Sequence, residues 1–346
     1  MANMAAIAGK LSGILSLSDD RGALPQKSGG KLRVFVAGGA GFIGSHLVDR
    51  LISTSSAIIT VYDNFSSGRM RHLEPRLKSP RVQIVRGDIK DLKTLTGAMR
   101  GQDVVYHLAS NPDIAKAGEQ PVIDFWEGTY LTQNILEAMR VNSVGKIIYA
   151  SGSGVYGDAG ETPVAEGHAP MLPISTYGAS KLAGEALICA YCHMFDVVGR
   201  VYRFANVVGP RQTHGVGLDF VRRLRQDPTR LHILGDGKQS KSYIHVEDVL
   251  AAIAWTDERS LEQFDVFNVA TDDYITVTEI ANLAIEVLGL SLDCVELTYT
   301  GGRRGWKGDV PVVRFHLTKI HSTGWRAERT SREALWDAMQ AIAAES

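Results

Sequence analysis

Tyr177 and Lys181 open the segment Tyr177-Gly178-Ala179-Ser180-Lys181, an interval that puts a phenol and an ammonium on one face of a helix. A free phenol titrates at about pH 10, and a neighbouring cation moves it toward working pH, which makes Tyr177 a base for an alcohol or sugar hydroxyl. Taken alone the pair reads as ordinary surface packing, so its meaning depends on what else the chain brings to it. A second chemical signal lies upstream. Gly38-Gly39-Ala40-Gly41-Phe42-Ile43-Gly44 follows the apolar run Leu32 to Ala37 and opens the apolar-periodic stretch Phe42 to Ile52. Between a strand and a helix such a turn cradles a pyrophosphate: one glycine makes the bend, one admits the ligand, one lets helix meet strand. Asp63 ends the next strand-like run about 20 residues on, where a carboxylate accepts hydrogen bonds from the adenine ribose and repels a 2′-phosphate. NAD is therefore expected over NADP, with Arg69 and Arg71 close enough to weaken the preference. The positive nicotinamide ring would add its own pull on Tyr177.

Such groups need a scaffold that brings distant segments to one edge. Strand-like runs at Leu32 to Ala37, Ile58 to Tyr62, Val82 to Arg86, Val104 to Leu108, Lys146 to Ala150 and Val197 to Arg203 alternate with helical stretches near 42–53, 91–100, 122–141 and 176–195. This alternation predicts an α/β fold, a Rossmann doubly wound parallel sheet forming an NAD-binding domain over residues 31–204. Pro173 precedes the helix of Tyr177, with Ser175 or Thr176 as its N-cap. After residue 204 the pattern loosens around Gly209-Pro210, Gly235-Asp236-Gly237 and Gly301-Gly302. Residues 205–346 read mainly as a smaller mixed α/β substrate lobe, some strands and helices being exchanged between the two. Open α/β sheets bind ligands beyond the carboxyl ends of their strands, so the lobe should cap the nicotinamide end of the cleft. Residues 1–30 stand apart as an N-terminal extension, with Ile7, Leu11, Ile14 and Leu15 at helical spacing. Lys10 interrupts any secretory signal there, leaving an arm, with organellar targeting as the alternative.

Composition narrows the partners. Lys and Arg number 37 against 38 Asp and Glu, a net charge of −1 over 346 residues, so nothing points to nucleic acid or an acidic membrane. No run of about 18 apolar residues predicts a membrane span. Cys189 and Cys192 form a CxxC inside a helical stretch and read as buried thiols; with Cys294 they fit a reducing cytoplasm, and no metal site is expected.

Seven motifs in order resemble the extended short-chain dehydrogenase/reductase superfamily, in its nucleotide-sugar epimerase/dehydratase branch, over residues 32–340. They are the glycine turn; Asp63-Asn64-Phe65-Ser66-Ser67-Gly68; Gly87-Asp88-Ile89; His107-Leu108-Ala109-Ser110; Tyr177 to Lys181; Arg203 to Arg211; and Ser242 to Asp248. The resemblance implies an NAD site made by Gly38, Gly41, Phe42, Ile43, Gly44, Asp63, Asn64, Ser67, Gly68, Asp88, Ile89, Leu108, Ala109, Ser110, Tyr177 and Lys181. In it Asp88 and Ile89 flank the adenine, Leu108 to Ser110 pass under the cofactor, and Lys181 holds the nicotinamide ribose. From the residues alone, Asp88 could instead cap a helix beginning near Asp91, and Asn206 could be a turn residue. The resemblance puts Asn206 on the sugar diphosphate, and Arg304 and Asp309 in the stretch Gly302 to Pro311 where uridine-diphosphate-sugar 4-epimerases hold it; Arg303 could replace Arg304, and Arg211 is a second phosphate candidate. It further implies a homodimer built on the helices near 122–141 and 176–195.

One departure stands out. Relatives carry Ser or Thr four residues before the Tyr of the VYG motif, and here that position is Gly152. Either Ser153 supplies the missing hydroxyl or a water fills the gap. Ser153-Gly154 also replaces the acidic residues that related 4,6-dehydratases and decarboxylases use. The expected activity is NAD-dependent inversion at C4 of a uridine-diphosphate (UDP) hexose. The alternatives are another nucleotide-sugar C4 oxidoreductase or epimerase, such as a UDP-glucuronate 4-epimerase, and a non-catalytic NAD-binding sensor.

Overall fold

The computed structural model describes residues 30–111 and 113–345. The extension expected over residues 1–30 lies, Gly30 apart, outside them. Six strands come first: β1 (Arg33–Ala37), β2 (Ile58–Asp63), β3 (Val82–Arg86), β4 (Val104–His107), β5 (Lys146–Gly152) and β6 (Val198–Phe204). The lobe adds β7 (Asn206–Val208), β8 (Arg230–Ile233), β9 (Ser240–Lys241), β10 (Tyr243–His245), β11 (Phe264–Val269), β12 (Ile275–Thr276) and β13 (Glu296–Tyr299).

Seven strands form one sheet in the order β11-β6-β5-β4-β1-β2-β3, and every pair in it is parallel. Its central strands are apolar on both faces because helices cover both, as in the fully buried β6. The covering helices are α1 (Phe42–Thr54), α2 (Leu92–Ala98), α3 (Tyr130–Val141) and α4 (Thr176–Phe195). The chain grows outward from β1 to β3, then returns to start β4 on the other side of β1. That reversal opens a cleft at the carboxyl ends of β1 and β4.

The helix expected near 122–141 is not uniform. Phe125–Thr129 form a wide π-type turn, closed by Tyr130 N donating to Phe125 O, before α3 begins. The widened turn lets Asp124 lie buried and Gly128 press on Ser180, where a methyl group would collide with the serine Oγ, while Phe125 and Trp126 remain exposed.

The lobe has its own core. Leu218 and Val221 of α5 (Val216–Gln226), Ile280 and Leu283 of a later helix (Val277–Val287), and Leu335 and Met339 of the last helix (Ser331–Ala344) meet Leu231 and Ile233 of β8. Thr276 with Glu279, and Thr330 with Glu333, close capping boxes that fix where the latter two helices start. The Val246–Arg259 helix and β11 leave this core and return to the main sheet.

Candidate active site

The cofactor end of the cleft is built from close approaches. Gly38 has φ of 79°, and a methyl group on it would lie 2.8 Å from Ala109 N, so the turn and the segment after β4 cross without room for a side chain. At Gly44 a methyl group would drive into Gly38 O, which seats α1 directly on the turn. Gly41 is the N-cap of α1 and offers no side chain to the first-turn amides around Phe42 and Ile43. Those amides face the approach that a pyrophosphate takes.

Asp63 sits at the end of β2 with its carboxylate accepting from Ala40 N at 2.9 Å and Phe65 N at 2.8 Å. Burial raises its pKa and the two backbone bonds offset part of that rise. Each oxygen retains a lone pair for a ribose hydroxyl. Gly68 closes over it, a methyl there lying 2.9 Å from Asp63 Oδ1, and Ser67 precedes it on the same loop. Farther out Asn64 Nδ2 donates to Asp88 Oδ2 at 3.3 Å, beside the buried Ile89. Asp88 also accepts from Lys90 N at 2.9 Å, and α2 is capped by Asp91 instead. Leu108 N donates to Ala37 O at 3.0 Å, anchoring Leu108, Ala109 and Ser110 at the switch point. The residues present fit a dinucleotide along its length.

At the chemical end, Ser175 accepts from Gly178 N and caps α4, which fixes the direction of Tyr177. Lys181 is buried, donates from Nζ to Ala150 O at 2.7 Å, and lies 5.6 Å from the centre of the Tyr177 ring. The two share one face, but the protein alone does not lower the phenol. Burial pushes Tyr177 up to about 12, a hydrogen bond to Ser110 offsets part of this, and Asp124 adds to the rise. The same burial holds Lys181 down to about 8, against Glu185 and Asp124. In the cofactor-free protein desolvation of the phenol thus outweighs what the lysine offers, and the positive nicotinamide ring is the further pull on which the sequence-based expectation also relies.

That lysine predicts a stability effect. Between its folded value of about 8 and the unfolded value near 10.5, the unfolded chain binds more protons, so stability rises with pH across this window; below it the burial cost is fully present. Lys181→Met should therefore stabilise the cofactor-free chain at pH 7 by up to about 3 kcal/mol, less whatever the orphaned Ala150 carbonyl costs. Urea unfolding should show the gap between variant and wild type closing toward pH 10.5.

Two networks hold these groups, and sequence reading found neither. Asp124 accepts from Asn111 Nδ2 at 2.8 Å and from Thr176 Oγ1 at 2.7 Å, clamping the Ser110 loop to the start of α4. Behind Lys181, Glu185 accepts from Ser151 Oγ at 2.5 Å and Arg203 Nη2 at 2.6 Å. Ser151 is therefore spent on Glu185. Ser153 opens the turn Ser153–Tyr156, and its hydroxyl has no hydrogen-bond partner among the described residues.

The substrate residues divide. The loop of Arg304 and Asp309 packs on the helix of Tyr177, a methyl at Gly308 lying 3.3 Å from Ser175 Cβ. Asp309 is buried, with Oδ1 accepting from Lys241 Nζ at 2.7 Å and Oδ2 from Gly305 N at 3.1 Å, so it braces this loop. Arg304 is half-exposed and pairs with Asp158 at 3.1 Å, beyond the turn at 153–156. Asn206 is exposed at the start of β7, and Arg303 is exposed. Arg211 adopts φ of 65° and donates through Nη2 to Asp49 of α1 at 2.7 Å, beside Arg76, while its buried Nη1 has no hydrogen-bond partner among the described residues. Of the cysteines, Cys192 is buried and its thiol is pushed up to about 12, an inert core group.

Residues 34–270 match the model of the NAD dependent epimerase/dehydratase family. A putative UDP-glucose 4-epimerase of Methanocaldococcus jannaschii is 32% identical over 313 residues, which are 87% of this chain and 95% of that protein. Among solved structures, a UDP-galactose 4-epimerase superposes with a TM-score of 0.80 at 38% identity, over 91% of this chain and 99% of its own. The UDP-glucose 4-epimerase of Thermus thermophilus, in complex with NAD, gives 0.80 at 30% identity, over 91% of this chain and 100% of its own.

Proposed function

This chain belongs to the NAD dependent epimerase/dehydratase family and uses NAD, and on that premise we propose that it inverts C4 of a UDP-hexose. One observation supports the reading most. Tyr177 and Lys181 are the acid–base pair at the chemical end of the cleft, while the turn Gly152-Ser153-Gly154 beside them carries no carboxylate for eliminating water or carbon dioxide.

In this reading the C4 hydroxyl gives its proton to Tyr177, and Lys181 favours the phenolate and holds the nicotinamide ribose. Bound NAD supplies the hydride chemistry, accepting hydride from C4 and returning it. Ser153, its hydroxyl unpaired, is the candidate to hold the substrate oxygen. Arg304 exchanges Asp158 for the diphosphate; an ion pair this exposed is worth about 1 kcal/mol or less, so the exchange costs little. Asn206 adds a polar contact to the same group. The 4-keto sugar turns about the held diphosphate, presents its other face, and takes the hydride back, so the cofactor is regenerated at each turnover. NMR of UDP-hexoses incubated with purified protein, without added NAD, tests this. Absence of C4 inversion with every common UDP-hexose and uronic acid would defeat it.

The same reading pairs two copies through α3 and α4. Phe125, 50% exposed, and Trp126, 48% exposed, on the turn that leads into α3, with Met194, 70% exposed, near the end of α4, are apolar side chains that such pairing would cover. Sedimentation velocity should give a dimer for the wild type and a monomer for Phe125→Asp/Trp126→Asp; a variant that sediments like the wild type overturns the assignment.

A further inference from the structure

One of the seven motifs, Ser242 to Asp248, has no part in the site described so far, and its place in the fold supplies one. Its strand β10 runs parallel to β7, which opens the segment Asn206–Arg211, with Tyr243 opposite Asn206, Ile244 opposite Val207 and His245 opposite Val208. Asn206 N also donates to Ser242 O at 3.2 Å. Beyond β7 the segment threads a slot. A methyl group on Gly209 would lie 2.8 Å from Val246 Cγ1 and 3.5 Å from Phe42 Cε2, so the backbone passes between the motif and the first residue of α1.

His46 closes that slot. It stands one turn along α1 from Phe42, buried, the two rings edge to face with their centres 5.8 Å apart. Its Nε2 donates to Pro210 O at 2.9 Å, an oxygen that only accepts, and its Nδ1 lies 3.2 Å from Glu247 Oε1 in the motif. Glu247 in turn lies 3.7 Å from Arg50 of α1, and its backbone N donates to His245 Nδ1 at 3.2 Å. Arg211 makes a second tie, to Asp49 on the next turn of α1. The helix whose first amides face the cofactor's pyrophosphate is thus fastened to the segment that carries Asn206. Of the two fastenings, His46 is the one nearer in the chain to both Phe42 and Asn206.

We propose that His46 is a positioning residue for the nucleotide sugar, holding the Asn206–Arg211 segment through Pro210 O at a fixed place relative to the bound cofactor. The proposal rests on the reading that puts Asn206 on the sugar diphosphate. A segment free to drift would carry the diphosphate tether away from the nicotinamide, and part of the substrate's binding energy would go into restoring the geometry. The imidazole meets two acceptors on different elements, so side chains that keep only one contact separate positioning from packing.

The test uses the full chain with NAD bound, UDP binding by calorimetry and turnover by NMR. His46→Leu should weaken UDP binding and raise KM for the UDP-hexose about 10-fold, the factor of one hydrogen bond, with kcat changed less than about threefold and NAD content intact. His46→Gln, whose amide nitrogen reaches as far as the ring Nε2, should restore most of the affinity. His46→Asn, whose shorter amide replaces Nδ1 and meets only Glu247, should not. These two polar variants decide the question even where the leucine variant does not fold. Exchange of the backbone amides in residues 206–211 should quicken in His46→Asn and not in His46→Gln. Unmoved UDP affinity in His46→Asn, restoration by Asn as good as by Gln, or loss of NAD alongside the affinity overturns the proposal. Wild-type turnover judges the epimerase reading separately: a wild type that binds UDP without inverting C4 leaves the binding and exchange measurements to decide. A wild type that binds no UDP removes the role of Asn206, and the proposal falls with it.

Discussion

Tyr177→Phe should leave a folded protein that still carries NAD and has lost at least about 1,000-fold in kcat, with KM for the nucleotide sugar changed little. The size follows from what the oxygen does. Proton transfer by a positioned side chain contributes about 100- to 10,000-fold, and no second base stands beside the phenol: Asp124 is committed to Asn111 and Thr176, and Glu185 to Ser151 and Arg203. The fold should survive because the aromatic ring remains and only the phenol oxygen is removed. Initial rates by NMR or a coupled assay check the loss, and absorbance of released cofactor checks retention. A variant within about tenfold of wild type would remove Tyr177 from the chemistry.

The largest effect on stability is expected from Glu185→Ala, at about 3–5 kcal/mol. Arg203 is only 2% exposed and its guanidinium is neutralised by Glu185, through Nη2 at 2.6 Å and Nε at 3.0 Å. It also donates to Tyr156 Oη at 2.9 Å and Glu166 O at 2.9 Å, so it cannot swing out to water when its carboxylate is removed. The cost is that of an unpaired buried charge, far above the value of an exposed pair. Glu185→Gln, which keeps an acceptor for Ser151, should cost less. Urea unfolding measures both; a loss below about 1 kcal/mol for the alanine variant would mean that Arg203 finds another counter-charge. Glu185 also supports the charge on Lys181, so the alanine variant should let that lysine titrate lower still.

These two residues show how unevenly the sequence spoke. The strand–glycine–helix spacing and the alternation of elements announced a doubly wound parallel sheet, because periodicity and turn chemistry are local. Tyr177 and Lys181 were legible for the same reason, being one helical turn apart. What the spacing could not convey was their ionisation, which depends on burial contributed by segments far away in the chain. Asp309 and Arg211 make the same point. Each was read as available for substrate, yet Asp309 is satisfied by Lys241 and Gly305, and Arg211 is tied through Nη2 to Asp49. A sequence gives the charge of a side chain and not whether the protein has already used it. Asp124 left one trace, a lone acid among Val122, Ile123, Phe125 and Trp126, which in hindsight marks a carboxylate turned inward.

That position in the chain ties surface to chemistry. Asp124 and the exposed Phe125 and Trp126 are consecutive residues at the entrance to one wide turn, and the far end of that turn, Gly128, leans on the serine one place before Lys181. Asp124 in turn holds Asn111 and Thr176, the immediate chain neighbours of Ser110 and Tyr177. A body that settles on Phe125 and Trp126 would therefore lie one residue from the carboxylate that ties the loop after β4 to the start of the helix of Tyr177.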